Sequence, residues 1–105
     1  MRFFSWQPGM ALDVSAFGVC EPPAGEELPC DGHTLLVVPG LVFGRNLHRI
    51  GYGGGYYDRY LASHRYLAAV GAAFSLQLVD YLEATDHDVP LTGVVTELET
   101  LGGLQ

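Results

Sequence analysis

The run RIGYGGGYYDRYL, Arg49 to Leu61, holds the residues of this chain best suited to chemistry on an anion. Three consecutive glycines, Gly53 to Gly55, lead directly into Tyr56, Tyr57, Asp58 and Arg59. Glycines ahead of a helix let the backbone approach an anion closely, with several N–H groups pointing inward. The helix N-terminus adds partial positive charge at the same place. Arg49, just before the glycines, could fork two hydrogen bonds onto a phosphate. Asp58, in the first helical turn, could hold a magnesium ion that bridges phosphate oxygens. The same run also reads as a tight connection in which Asp58 only complements the helix dipole. It is not the GxGxxG dinucleotide pattern placed directly after a strand.

A second candidate is the acidic triplet Asp86-His87-Asp88. Paired loop carboxylates can ligate a hard cation alongside water and substrate oxygens, and His87 could act as acid or base. A solvated polar turn is the alternative. The other histidines, His33, His48 and His64, share no ligand spacing. Phe3, Phe4 and Trp6 could stack on a planar heterocycle, but at the start of a short strand they read as core. Glu97 and Glu99 alternate as on the solvated face of a strand.

Composition narrows the chemistry further. Twelve acids oppose five bases, and all five bases are arginines, for a net charge of −7. The absence of lysine excludes a Walker-type phosphate loop and a lysine Schiff base. Nucleic-acid binding needs a basic stripe that the chain lacks, and acidic membranes would repel it. No apolar run is long enough to span a membrane, and MRFFSWQPG has no signal-peptide shape, so the expected address is the cytoplasm. With 105 residues, 49% hydrophobic and 16% charged, the chain reads as one globular domain. Cys20 and Cys30 have no CxxC spacing and no histidine cluster, which favours two reduced thiols over a zinc site; a disulfide between them is the other reading.

These groups need elements to position them. Arg2–Trp6 and Ala16–Cys20 are candidate short strands, the second within a proline-rich loop from Gln7 to His33. TLLVV, Thr34 to Val38, is a continuous apolar run stopped by Pro39-Gly40, the pattern of a strand buried on both faces. LVFGRNLHRIG reads as a loop or small hairpin with Asn46 near its tip. Tyr56 to Tyr66 is the best helix candidate, with Tyr57, Tyr60, Leu61 and His64 at helical spacing. Leu67 to Ser75 reads as another buried strand, Leu76 to Leu82 as a short helix or loop, and VVTEL as a final strand. This order argues for an α/β layered fold.

VVPGLVF, RIGYGGGYYDRYL, GAAFSLQ, DHD and VVTE, in this order and preceded by FGVCEP, resemble the 5-formyltetrahydrofolate cyclo-ligase family, also called methenyltetrahydrofolate synthetase. The resemblance implies ATP- and magnesium-dependent closure of 5-formyltetrahydrofolate to 5,10-methenyltetrahydrofolate. In such enzymes the formyl oxygen is phosphorylated, the neighbouring folate nitrogen attacks, and phosphate leaves. By the same resemblance, Arg49, Gly51, Tyr52, Gly53, Gly54, Gly55, Tyr56 and Tyr57 would contact ATP. Tyr56 would also lie at the folate side of the loop. Asp58 and Asp88 would be the magnesium carboxylates, and Tyr56 and Asp58 the catalytic pair. Gln77 stands where the family often has glutamine near its site. The implied fold is a three-layer α/β/α sandwich with a mostly parallel sheet.

Two departures stand out. Gly44 replaces the family's aspartate after Pro-Gly-x-x-Phe, and residues 1–105 correspond to the family's C-terminal part, without the N-terminal part and its basic helix. The expected activity is therefore either that of the cyclo-ligase or of a shortened relative keeping the nucleotide and magnesium loop. The other readings are a non-catalytic nucleotide- or folate-binding module, a subunit completed by a partner or by homodimerisation, and a gene fragment without function of its own.

Overall fold

The computed structural model describes residues 1–14, 20–21, 25–53 and 55–103. The run ahead of Pro39 forms β3 (Leu35–Val38), numbered after two short strands, β1 (Asp13–Val14) and β2 (Cys20–Glu21), that pair with each other. Proline ends β3 because it has no N–H to give to a ladder. A hairpin follows, β4 (Val42–Gly44) and β5 (Arg49–Ile50), then α1 (Tyr56–Ser63) and β6 (Ala68–Ala72). A 3-10 turn over Ser75–Gln77 leads into β7 (Leu78–Val79), and β8 (Gly93–Val95) and β9 (Thr100–Gly102) complete the order.

The main sheet runs β3-β6-β8-β9. β3 and β6 are parallel, with Leu35 opposite Ala68 and Val38 opposite Gly71. β6 and β8 are also parallel, and β9 folds back antiparallel on β8. The α/β class and the mostly parallel sheet expected from the sequence are therefore what the chain builds. The smaller sheet runs β5-β4-β7.

Each new parallel strand is added on the same side of the last, so right-handed crossovers carry both connections over one face of the main sheet. The core is built there. Leu36, Val38, Ala69 and Val94 from the main sheet meet Phe43 of β4, Tyr60 and Leu61 of α1, and Leu91. Gly71 makes this packing possible, since a Cβ at that position would stand 2.6 Å from the Phe43 ring.

The opposite face is open. The expectation that Thr34–Val38 is buried on both faces does not hold in this chain: Leu35 is 58% and Val37 63% exposed, while their neighbours Leu36 and Val38 are buried. No crossover passes over that side. Other boundaries also shift. Arg2–Trp6 forms only a single bridge, Phe4 to Glu27, and Trp6 is exposed rather than core, although Phe3 packs edge-on against Tyr60. Most of Ala16–Cys20 lies outside the described residues. α1 ends at Ser63, where the Ser63 hydroxyl donates to Arg59 O (2.8 Å) and the His64 ring stacks on Tyr60. Glu97 and Glu99 lie beyond β8; Glu97 accepts from Ser75 N (2.6 Å) and Glu99 pairs with Arg45. Cys30 is a free thiol that donates to Arg65 O (3.1 Å). Among the described residues no helix is long and apolar enough to cross a membrane.

Candidate functional site

A cleft of about 580 Å³ opens between the loop from Arg49 to Asp58 and the segment carrying Leu82, Glu83 and Asp88. On the loop side Arg49, Gly51, Tyr52, Gly53, Gly55, Tyr56, Tyr57 and Asp58 all line it. The fold therefore gathers the expected loop residues at one opening, together with Asp88; Gly54 lies outside the described residues. Asp86, His87 and Gln77 do not line the cleft. Gln77 instead donates to Gly40 O and Leu41 O (3.0 and 3.2 Å) and accepts from Phe74 N, tying the 3-10 turn to the end of β3.

The glycines have conformational reasons to be there. Gly53 has φ +102° and Gly55 φ +64°, left-handed values at which an L side chain is strained. Gly55 is the N-cap of α1, and no side chain among the described residues caps that end. The unsatisfied N–H groups of the first turn lie where Gly55, Tyr56 and Tyr57 border the cleft. That is an anion-accepting arrangement.

Arg49 sits at the base of the loop, where β5 leaves the small sheet. Its guanidinium donates from Nη1 to Pro39 O (3.1 Å) and lies 5.0 Å from the centre of the Tyr57 ring. Its Nε is buried and, among the described residues, has no hydrogen-bond partner. Gly51 leaves the space for this placement, because a Cβ there would come within 2.6 Å of Nη1. Arg59 lies over the exposed Tyr56 ring at 5.1 Å.

The two acids differ in their commitments. Asp88 accepts from Thr85 N (2.9 Å) through Oδ2, and its own N–H returns to Thr85 O. Among the described residues, Asp58 accepts a long contact, 3.4 Å, from Val89 N to Oδ1. That contact brings the residue next to Asp88 up to the start of α1. Both carboxylates are half-buried and both line the cleft. Among the described residues no cluster of three or more His, Cys, Asp or Glu side chains surrounds one point. Two carboxylates on one cleft are within the number that magnesium takes from a protein, alongside water and phosphate oxygens.

Reading the sequence does not single out Leu82 and Glu83, which form the wall opposite the loop. Their position comes from Asn46 in the β4–β5 hairpin. Its amide donates to Leu82 O (2.9 Å) and accepts from Leu82 N (3.2 Å), as a neighbouring strand would. This bears on Gly44: a Cβ at 44 would overlap Asn46 Oδ1 and crowd Leu82 N at 3.1 Å. The space a carboxylate at 44 would take is filled by the Asn46 amide.

A mixed α/β protein with a glycine-loop cleft is what fold and site define. The same architecture occurs in the solution structure of Aquifex aeolicus 5,10-methenyltetrahydrofolate synthetase, which superposes with a TM-score of 0.73 at 34% identity, covering 94% of this chain and 50% of that one. A 5,10-methenyltetrahydrofolate synthetase from Mycoplasma pneumoniae superposes with a TM-score of 0.56 at 27% identity, over 79% of this chain and 52% of that one. The 5-formyltetrahydrofolate cyclo-ligase of Escherichia coli K12 is 34% identical over 100 residues, 91% of this chain and 55% of the relative. The 5-formyltetrahydrofolate cyclo-ligase family matches residues 1–97. The chain belongs to that family, and it spans about half the length of these relatives.

Proposed function

We propose that this chain carries the nucleotide and magnesium side of a site that converts 5-formyltetrahydrofolate to 5,10-methenyltetrahydrofolate with ATP. The observation that carries the reading is the single cleft shared by the glycine loop, the uncapped start of α1, Arg49, Asp58 and Asp88. Phosphoryl transfer asks a protein mainly for positioning and charge neutralisation. The loop and first-turn N–H groups bind the phosphates, and Arg49 adds a fixed positive charge at their base. Asp58 and Asp88 are the carboxylates that would hold magnesium, which would supply charge neutralisation at the phosphates. Tyr56, exposed at the mouth, faces the folate.

A second reading, a nucleotide-binding part completed by another polypeptide, is favoured by the balance of charge. Arg49 is the one cationic side chain among the described lining residues, against Asp58, Glu83 and Asp88. Both readings predict nucleotide binding; only the first predicts turnover by this chain alone.

Thermal unfolding tests the shared claim. ATP with magnesium at about 100 times its dissociation constant should add about 2.7 kcal/mol, a rise of roughly ten degrees or more for a domain of this size. Asp58→Asn should remove most of that gain. Absence of a rise in the unmodified chain, or an equal rise in the variant, would sink the nucleotide reading. Appearance of the methenyl chromophore from 5-formyltetrahydrofolate and Mg-ATP then separates turnover from binding alone.

A further inference from the structure

Three stretches of the sequence, VVPG, AFSLQ and VVTE, supply no described residue to the wall of the cleft. They are nevertheless joined to one another, and to Arg49, by hydrogen bonds. Glu97 accepts from Ser75 N (2.6 Å) through Oε1 and from Ser75 Oγ (3.1 Å) through Oε2. Two residues on, Gln77 reaches back across the 3-10 turn to accept from Phe74 N (2.9 Å). Its Nε2 donates to Gly40 O (3.0 Å) and Leu41 O (3.2 Å). With an N–H on one side and two carbonyls on the other, the amide has a single satisfied orientation. All three bonds go to backbone, so the side chain acts as a clamp on residues 40–41.

The clamped turn holds the base of the glycine loop. Leu41 N donates to the O of Ile50 (2.8 Å), the last residue of β5 before the glycines. Gly40 lets the chain pass close at this point, since a Cβ there would stand 2.9 Å from the Phe43 ring and 3.2 Å from Ile50 O. Just before it, Pro39 O accepts from Arg49 Nη1 (3.1 Å), the one hydrogen bond of that guanidinium among the described residues. The ring of Tyr57, in the first turn of α1, lies against the same guanidinium at 5.0 Å. The proline ring limits backbone rotation on one side of this carbonyl, and Gln77 fixes the carbonyls that follow it. A guanidinium held by one carbonyl and one ring face goes where that carbonyl goes.

We infer that Gln77 is a positioning residue for Arg49: by fixing Gly40 and Leu41 it sets Pro39 O, and Pro39 O aims the guanidinium at the base of the glycine loop. Glu97 backs the clamp by holding Ser75 at the start of the same turn. The inference rests on the reading of Arg49 as a phosphate contact, and it makes that contact depend on a residue outside the cleft. Phosphate recognition by a guanidinium is directional, because its N–H groups lie in a fixed planar fork. A displaced fork keeps its charge and loses its hydrogen bonds.

The test compares Gln77→Glu and Gln77→Met with the unmodified chain. The glutamate keeps the acceptor for Phe74 N and loses both donors, whereas the methionine keeps the side-chain length and loses all three bonds. Calorimetric titration with Mg-ATP and with inorganic triphosphate should show each variant weakened about tenfold, the size of one lost charge-assisted hydrogen bond. In an Arg49→Gln background the Gln77 changes should cost nothing further. Without any ligand, the Arg49 Nε–H resonance, which senses the Tyr57 ring, should move in both variants. Val94→Ala, a truncation in the same core, should leave it in place, which separates positioning from a general loss of stability. An unmoved Arg49 resonance in the folded variants overturns the inference. So does an equal movement in Val94→Ala, or an equal loss of affinity with and without Arg49. If the unmodified chain binds neither probe, the nucleotide reading fails, and the resonance alone decides whether Gln77 positions Arg49.

Discussion

At the scale of single residues, the informative pair is Gly44 and Asn46. The Asn46 amide closes two hydrogen bonds with the backbone of Leu82 and so sets the wall of the cleft opposite the glycine loop. A side chain at 44 competes for the same space. Gly44→Asp should therefore cost about 1–3 kcal/mol in urea unfolding, the range for part-buried groups that lose their partners. In an Asn46→Ala background the added cost should shrink, since the clamp is already gone. Equal costs in both backgrounds would mean that the two positions act independently. The sequence places Gly44 two residues before Asn46, but the coupling of both to Leu82 depends on a contact 36 residues apart along the chain.

At the scale of elements, α1 and the loop before it are the parts most legible in the sequence. Tyr60 and Leu61 at helical spacing are indeed the buried residues of α1. The hairpin around Asn46 is present as β4 and β5. What local pattern did not reveal is why the helix stops at Ser63 rather than Tyr66: side chains of Ser63 and His64 capture carbonyls of the last turn. The entry to the helix gives a direct test. Gly55 holds φ +64° with Arg59 Nη1 3.3 Å from where a Cβ would stand. Gly55→Ala should lower stability by about 1–2 kcal/mol through left-handed strain, read as a lower urea midpoint with an unchanged slope. An unchanged midpoint would mean that the loop relaxes without cost.

At the scale of the whole molecule, pH should bound the stable range from both ends. Hydrogen bonding to Arg2 holds Glu27, and hydrogen bonding to Ser75 holds Glu97, below the usual carboxylate range. Their contribution is present above the ordinary carboxylate pKa and is lost as pH falls through the lowered folded value. Burial, and then the hydrogen bond with Cys30, push the Tyr60 phenol up to about 12. Its contribution is present below the ordinary phenol value of 10.0 and is lost as pH rises towards about 12. Urea midpoints measured across pH should fall at both ends. Tyr60→Phe should flatten the alkaline limb, and Glu97→Gln should make the acid limb shallower. An alkaline limb unchanged in Tyr60→Phe would assign that loss to another group.

The sequence by itself determined the α/β class, the parallel strands, the glycine loop with its helix, and the family, because these depend on local pattern: apolar runs, glycines at left-handed positions and motifs in fixed order. Only the tertiary structure decided which residues share the cleft. Asp88 comes to α1 through Val89, and Glu83 through Asn46, by contacts that no short window contains. Tertiary structure also decided that the continuous apolar run of β3 is buried on one face only. Residue type records that both faces suit burial, whereas the path of the crossovers determines which face this chain can cover by itself.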